Sequence, residues 1–300
     1  MTTLVEVSGL SRRFGSTIAL QDVSFRAEVG LVHGLVGVNG AGKTTLIRHL
    51  LGLLRVQAGE VRVFGRDPVR EPVAVLRRVG YLSEQRELPE WMRLGELLRY
   101  TQAYHPSWDQ RYADRLLDTF GLDRRKKFGE LSKGMRAQAG LVVAVAHRPE
   151  LLILDEPSSG LDVVVREDIL SEIVRTVAED GRTVIFSSHL LHEVERMCDH
   201  VTVMQEGRVA LQGPLDEIRG MHLISQVRFA KPLDGIPNFD GALSISGEGR
   251  SWSVLHASSL ESFRDVVARL GAEVPESRNA TLEEIFIARV GRSRQRQEAA

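Results

Sequence analysis

The run 37-GVNGAGKTT-45 places glycines, one lysine and two hydroxyls in the spacing G-x-x-x-x-G-K-[ST]. Glycines leave room for backbone N–H groups to turn inward around phosphate oxygens. Gly37, Val38, Asn39, Gly40, Ala41 and Gly42 would then form a cradle. Lys43 would reach the β- and γ-phosphates of a nucleotide as a compact charge, and Thr44, followed by Thr45, would offer a hydroxyl to Mg²⁺. Only five of the 39 basic residues in the chain are lysines, so a lysine at this spacing carries unusual weight. Farther along, 151-LLILDEP-157 is an apolar run ending in two carboxylates. Asp155 could hold Mg²⁺, and Glu156 could take a proton from an attacking water. A second apolar run, 183-TVIFSSH-189, ends in His189, which could donate a hydrogen bond to a transferred phosphate. The segment 131-LSKGM-135 puts Ser132 where it can cap a helix and leaves the glycine Gly134 beside it, a pairing suited to an anion but also to plain capping. Phe14, followed by Gly15, could stack on an adenine or fill a hairpin core.

These groups need elements to hold them. The run 31-LVHGLVG-37 reads as a buried strand entering the glycines, and 43–53 as a helix with Leu46, Ile47, Leu50 and Leu51 on one face. Strands are predicted over 4–8, 17–29, 60–65, 79–82, 151–154, 183–187 and 201–204, and helices over 163–178 and 190–197. Residues 90–147 read as helical with polar outer faces. Strands alternating with helices predict an α/β fold with a mainly parallel, helix-covered sheet. Ligands bind at the carboxyl ends of such strands, where the two acids lie. Gly213, Pro214 and Gly220 punctuate a change of character. A domain over 1–220 is therefore expected, with a helical subdomain over about 86–147. A small α/β unit follows over 221–290, with strands near 224–229, 242–246 and 252–255 and a helix over 259–270. A flexible tail is expected over 291–300.

Composition narrows the class. The 300 residues are 43% hydrophobic and 26% charged, which is globular rather than disordered or fibrous. With 39 basic against 40 acidic residues there is no global field toward nucleic acid or acidic lipid, and no nucleic-acid partner is expected. The longest apolar run, 141-LVVAVA-146, is far short of the roughly 18 residues of a membrane span. The single cysteine, Cys198, allows no internal disulfide. A cytoplasmic chain without its own membrane spans is expected.

In this order the motifs resemble the ATP-binding cassette (ABC) ATPases over roughly residues 3–220. Walker A matches at 37–45, the signature at 131-LSKGM-135, Walker B at 151-LLILDE-156, the D-loop at 159-SGLD-162 and the switch histidine at His189. The resemblance implies a P-loop NTPase cassette, with a mixed sheet core, a β subdomain and a helical subdomain. It implies two subunits paired head to tail around two MgATP, with Ser132, Gly134 and Asp162 of one subunit serving the nucleotide of the other. Glu156 would be the general base, Asp155 and Thr44 Mg²⁺ partners, His189 a γ-phosphate contact and Phe14 the adenine platform. Three positions depart from the family pattern. Lys133 replaces a signature glycine, with a charge that could assist phosphate contact, and Met135 replaces its glutamine. The Q-loop pattern laid on 80-GYLSE-84 puts Glu84 at the glutamine position with Gln85 one residue late, so either could face the metal.

A single Walker A, with room for only a normal helical subdomain before the signature, is similar to separate transport ATPases, and specifically to those of bacterial drug-, peptide- or antibiotic-resistance exporters. Such a subunit requires a membrane permease, which would hold it at the inner face of the cell membrane. The alternative is a non-transport cassette that acts as an ATP-dependent switch or clamp. Trp91, Tyr100, Tyr104 and Trp108, with Arg86, Arg93 and Arg99 among them, concentrate in one stretch. They fit either the core of the helical subdomain or anchors for a permease segment.

Overall fold

The computed structural model describes residues 2–85 and 88–289, with only the backbone over 176–180. In chain order the first elements are β1 (Thr3–Phe14), β2 (Thr17–Glu28), β3 (Val32–Val36), α1 (Lys43–Leu50), β4 (Ala58–Val63), α2 (Pro72–Leu76) and β5 (Val79–Leu82). The helices α3 (Leu94–Gln102), α4 (Gln110–Thr119) and α5 (Lys133–Val145) form the expected helical region. Then come β6 (Leu151–Asp155), α6 (Val163–Asp180), β7 (Thr183–Ser188), α7 (Leu191–Met197), β8 (His200–Gln205), β9 (Arg208–Pro214) and α8 (Leu215–Gly220). The chain closes with β10 (Leu223–Leu233), β11 (Ala242–His256), α9 (Leu260–Arg269), β12 (Ala272–Asn279) and a final helix over 282–289.

The central sheet has the order β5-β6-β7-β3-β8-β9, and β5 through β8 pair in parallel. Strands β3, β6 and β7 are buried along their whole length. That burial is why they read as continuous apolar runs rather than as alternation. An antiparallel sheet, β2-β1-β4, packs Val5, Val7, Leu10, Leu20 and Phe25 into the same core as Leu46, Ile47 and Ile153. The fold is the P-loop α/β class with a mixed sheet core. Strand β9 was not predicted: its burial alternates between exposed and half-buried, which leaves no apolar run to read.

The chain divides into two compact units, one up to Gln212 and one from Gly213 onward. The sequence placed this boundary at 220, and the expected tail over 291–300 lies outside the described residues. In the second unit the order is β11-β10-β12, and Val227, Trp252 and Val254 pack on Phe263 and Val267 of α9. Residues 242–246 and 252–255, read as two strands, belong to one long β11. Strand β12 carries Pro275 and mostly exposed side chains, the mark of an edge strand and the reason its pattern gave no signal.

A buried histidine gives the first unit a pH dependence. His147, just past α5, donates from Nε2 to the Val79 carbonyl at 3.2 Å, and its ring lies 3.9 Å from that of His105. Burial first, then His105 and Arg182, push its pKa down to about 4. The folded chain therefore resists protonating His147, whereas the unfolded chain takes that proton near the ordinary value of 6.5. This contribution is intact above about pH 6.5 and is lost as pH falls toward 4, by at most roughly 3 kcal/mol. Melting temperatures measured from pH 7.5 to 4.5 should fall more steeply for the wild type than for His147→Phe.

Candidate functional site: a phosphate cradle facing a buried carboxylate

Two glycines shape the loop before α1. Gly40 and Gly42 have φ of +82° and +105°, in the region that penalises a Cβ, and a Cβ on Gly42 would sit 2.7 Å from the Ala19 carbonyl. Gly42 caps α1 without a side chain, and the first turn of α1 carries no acid. The opening N–H groups of the helix are thus left to an external anion. The loop, β2 and the ends of β5 and β6 enclose a pocket of about 300 Å³. Asn39 through Thr45 line it, with Thr17, Ile18, Ala19, Glu84 and Glu156 opposite.

Lys43 is only 6% exposed and Glu156 only 4%. The ammonium donates to the Gly37 carbonyl at 2.6 Å and lies 3.0 Å from Oε1 of Glu156. The other oxygen of Glu156 accepts from Nδ1 of His189 at 2.7 Å and from the His189 backbone N–H at 3.3 Å. Glu156 itself has φ of +49° and precedes Pro157, a doubly disfavoured backbone state for a residue with a side chain. Strain of this kind persists only where surrounding contacts impose it. Here Ser187 supplies one: its hydroxyl accepts from the Glu156 N–H at 2.9 Å and donates to Oδ1 of Asp155 at 2.7 Å. Asp155 is 1% exposed.

The structure therefore brings Lys43, Thr44, Thr45, Glu156 and His189 to one place, with Asp155 at the end of the same strand. It puts Glu84, not Gln85, in the pocket wall. Other expected residues lie elsewhere. Ser132 caps α5 through Met135 N–H at 3.2 Å, and Asp162 caps α6 through Val165 N–H at 3.0 Å. Neither they nor Gly134 line the pocket. The side chain of Lys133 leans on the D-loop, its Nζ filling the space a Cβ on Gly160 would take. Phe14 is 44% exposed, carries the Arg12 guanidinium over its ring at 4.5 Å, and does not line the pocket either. The same hairpin contributes Thr17, Ile18 and Ala19 instead. Reading the sequence alone missed these three, along with Ser187 and Glu193. The buried Glu193 carboxylate accepts from Ser158 at 2.8 Å and from Ser188 at 3.0 Å, tying the loop after β6 to the end of β7. The paired serines before His189 were the available signal for that tie.

No group of three or more His, Cys, Asp or Glu side chains arranged to hold a metal ion by themselves occurs among the described residues. Mg²⁺ bound with a nucleotide needs none, since phosphates and water complete its shell around one or two protein oxygens. The Thr44 hydroxyl and the Asp155 carboxylate fit that role.

An ABC transporter family model matches residues 20–159. Over 97% of its length the chain is 30% identical to the ABC transporter ATP-binding protein YtrB of Bacillus subtilis (strain 168), covering 99% of that protein. It is 33% identical to the daunorubicin resistance ATP-binding protein DrrA3 of Streptomyces coeruleorubidus, with 99% of each chain covered. Among solved structures, the ATP-binding subunit of an ABC transporter superposes with a TM-score of 0.67 at 33% identity. That match covers 73% of this chain and 92% of the other. The chain belongs to the ATP-binding proteins of ABC transporters and is an ABC-type ATPase.

Proposed function

We propose that this chain hydrolyses MgATP as one of two subunits paired head to tail, and so drives a separate membrane permease in export. One observation carries the pairing: the pocket holds Lys43 and Glu156, while Ser132, Gly134 and Asp162 lie outside it. A signature that cannot reach its own nucleotide suits the nucleotide of a second cassette, identical or different.

In this reading ATP enters with its phosphates on the α1 N-terminus. Lys43 exchanges Glu156 for the β- and γ-phosphates, which releases the carboxylate to accept a proton from water. His189 holds the other carboxylate oxygen and so fixes the direction of that base. Thr44, Asp155 and Glu84 are the candidate metal-side groups, with Glu84 favoured over Gln85 by its place in the wall. Bound Mg²⁺ would supply charge neutralisation at the phosphate oxygens. The similarity to a daunorubicin resistance protein supports export, and no helix among the described residues is long and apolar enough to cross a membrane. Attachment to the inner face of the cell membrane would then come through the permease.

The aromatic stretch supplies the contact and the test. Trp91 is 73% exposed, and Tyr100 and Tyr104 are more than half exposed. Trp108 is half-buried and donates to Gln110 at 3.1 Å. The subdomain-core reading therefore fails for three of the four rings, and Arg86 lies outside the described residues. Trp91→Ala, lacking core contacts to lose, should leave the melting temperature and soluble ATPase activity nearly unchanged. It should lower co-purification with the membrane permease to which the chain is coupled, several-fold if Trp91 is an interface anchor. Equal recovery of wild type and variant with that membrane protein would remove Trp91 from the contact. No recovery of either would favour the soluble switch.

A further inference from the structure

Phe14 stands at the tip of the hairpin that walls the phosphate pocket. It faces Thr17 in the β1–β2 register, and Thr17 lines the pocket with Ile18 and Ala19. The phosphates belong at the N-terminal end of α1, so a base projecting from them along the hairpin wall meets the Phe14 ring. The Arg12 guanidinium covers one face of that ring, 4.5 Å from its centroid. Arg12 holds this place without the partners a guanidinium ordinarily finds. Among the described residues no carboxylate pairs with it, and its Nε is buried with no hydrogen-bond partner. Only its Nη1 is anchored, donating to the Arg55 carbonyl at 3.1 Å. A buried donor without an acceptor calls for a reason. Packing supplies none, since a leucine would cover the ring without desolvating a charge.

The side from which Arg12 approaches decides what it can do. Its anchor, Arg55, lies beyond the C-terminal end of α1, and Gln57, two residues on, accepts from the Arg13 N–H at 2.8 Å. The pocket surrounds the opposite end of α1, with Lys43, Thr44 and Thr45 in its wall. The helix has eight residues and so separates the two ends by about 12 Å. The guanidinium therefore comes to the ring from the side away from the pocket and leaves the second face for a planar base. Arg12 also lies near the buried His49 of α1, where after burial itself it helps to keep the imidazole neutral. Nδ1 of His49 donates to the carbonyl of Thr45 at 2.8 Å. Arg12 thus stands between the ring and the helix that carries the phosphates. A half-exposed phenylalanine at a hairpin tip can otherwise turn about its side-chain bonds, and ordering it when a ligand binds costs affinity.

We propose that Arg12 is a positioning residue for the nucleobase: it holds Phe14 by one face so that adenine stacks on the other. The proposal rests on the reading of the pocket as an ATP site, and it adds how the base end of the nucleotide is held.

The test compares MgATP with inorganic tripolyphosphate, which carries phosphates but no base, by calorimetric titration of the full chain in Mg²⁺. Phe14→Ala should weaken MgATP by about five- to a hundredfold, the range for losing a base–aromatic stack, and leave tripolyphosphate binding unchanged. Arg12→Gln should weaken MgATP by about three- to tenfold, the scale of one desolvated cation–π contact, again without effect on tripolyphosphate. In steady-state hydrolysis it should raise KM and spare kcat. Arg12→Lys keeps a cation and should recover part of the loss. In the Arg12→Gln/Phe14→Ala double variant the two losses should not add, because Arg12 acts only through the ring. A role of Arg12 in folding alone would weaken both ligands alike or neither. Equal losses for the two ligands, unchanged MgATP binding in Arg12→Gln, or additive losses in the double variant would overturn the proposal. Tighter MgATP binding by Arg12→Gln would do the same, since the guanidinium would then be occupying the face that adenine needs. The two readings fail differently. A wild type that binds neither ligand would count against the ATP site itself. A wild type that binds both, with Phe14→Ala and Arg12→Gln behaving like it, would count against the base contact alone.

Discussion

A Lys43→Ala variant is expected to lose ATP hydrolysis by about 10²–10³-fold or more, the scale of removing one well-placed charge partner from a transferring group. The geometry adds a second consequence. Lys43 is the cation 3.0 Å from the buried Glu156, so its removal leaves that carboxylate to the two His189 contacts alone. Stripping one partner from a buried ion pair costs on the order of 3–5 kcal/mol when nothing replaces it. The nucleotide-free variant should therefore melt several degrees lower than the wild type, and ATP should restore little of the difference. Lys43→Arg should not recover activity, because a planar guanidinium cannot occupy the narrow position between the Gly37 carbonyl and the carboxylate. Steady-state hydrolysis and melting curves with and without MgATP check all three statements. Wild-type turnover in Lys43→Ala would overturn the site.

Glu156→Gln should separate binding from turnover. The amide keeps the size of the side chain but cannot accept the proton of an attacking water, so hydrolysis should fall by about 10²–10⁴-fold. Without nucleotide, Lys43 faces a neutral partner and the chain should melt lower. With MgATP the same lysine has the phosphates, and the unhydrolysed complex accumulates. The rise in melting temperature on adding MgATP should exceed that of the wild type, following the ordinary linkage between bound ligand and stability. Size-exclusion chromatography in MgATP should then show a dimer. A variant that binds MgATP and stays monomeric at every concentration would count against the head-to-tail pair.

Much of this site was legible before any coordinates. The spacing of Gly37, Gly42 and Lys43 is a local property: the loop closes over a few residues, and its glycines are needed for backbone angles each residue adopts by itself. Walker B was legible because a strand buried on both faces must be apolar throughout, so the two acids at its end stand out. The second unit was harder. Its strands are half exposed, and the polar edge strand β12 has no periodicity that distinguishes it from a loop.

By itself, then, the sequence determined the class of fold and singled out the glycine loop, Lys43, Glu156 and His189, which the structure brings together. Each of these rests on residue type and short-range spacing. Only the tertiary structure decided what depends on strands distant in sequence becoming neighbours. The pairing of Lys43 with Glu156 requires the ends of β3 and β6 to come together, with β7 lying between these strands in the sheet. The same sheet lets Ser187 hold both Asp155 and the strained backbone of Glu156. Side-chain direction was likewise beyond the sequence. Glu84 faces the pocket where Gln85 does not, Phe14 stands aside beneath Arg12, and Trp91 points to solvent, because a turn or an exposed segment leaves direction to whatever packs around it.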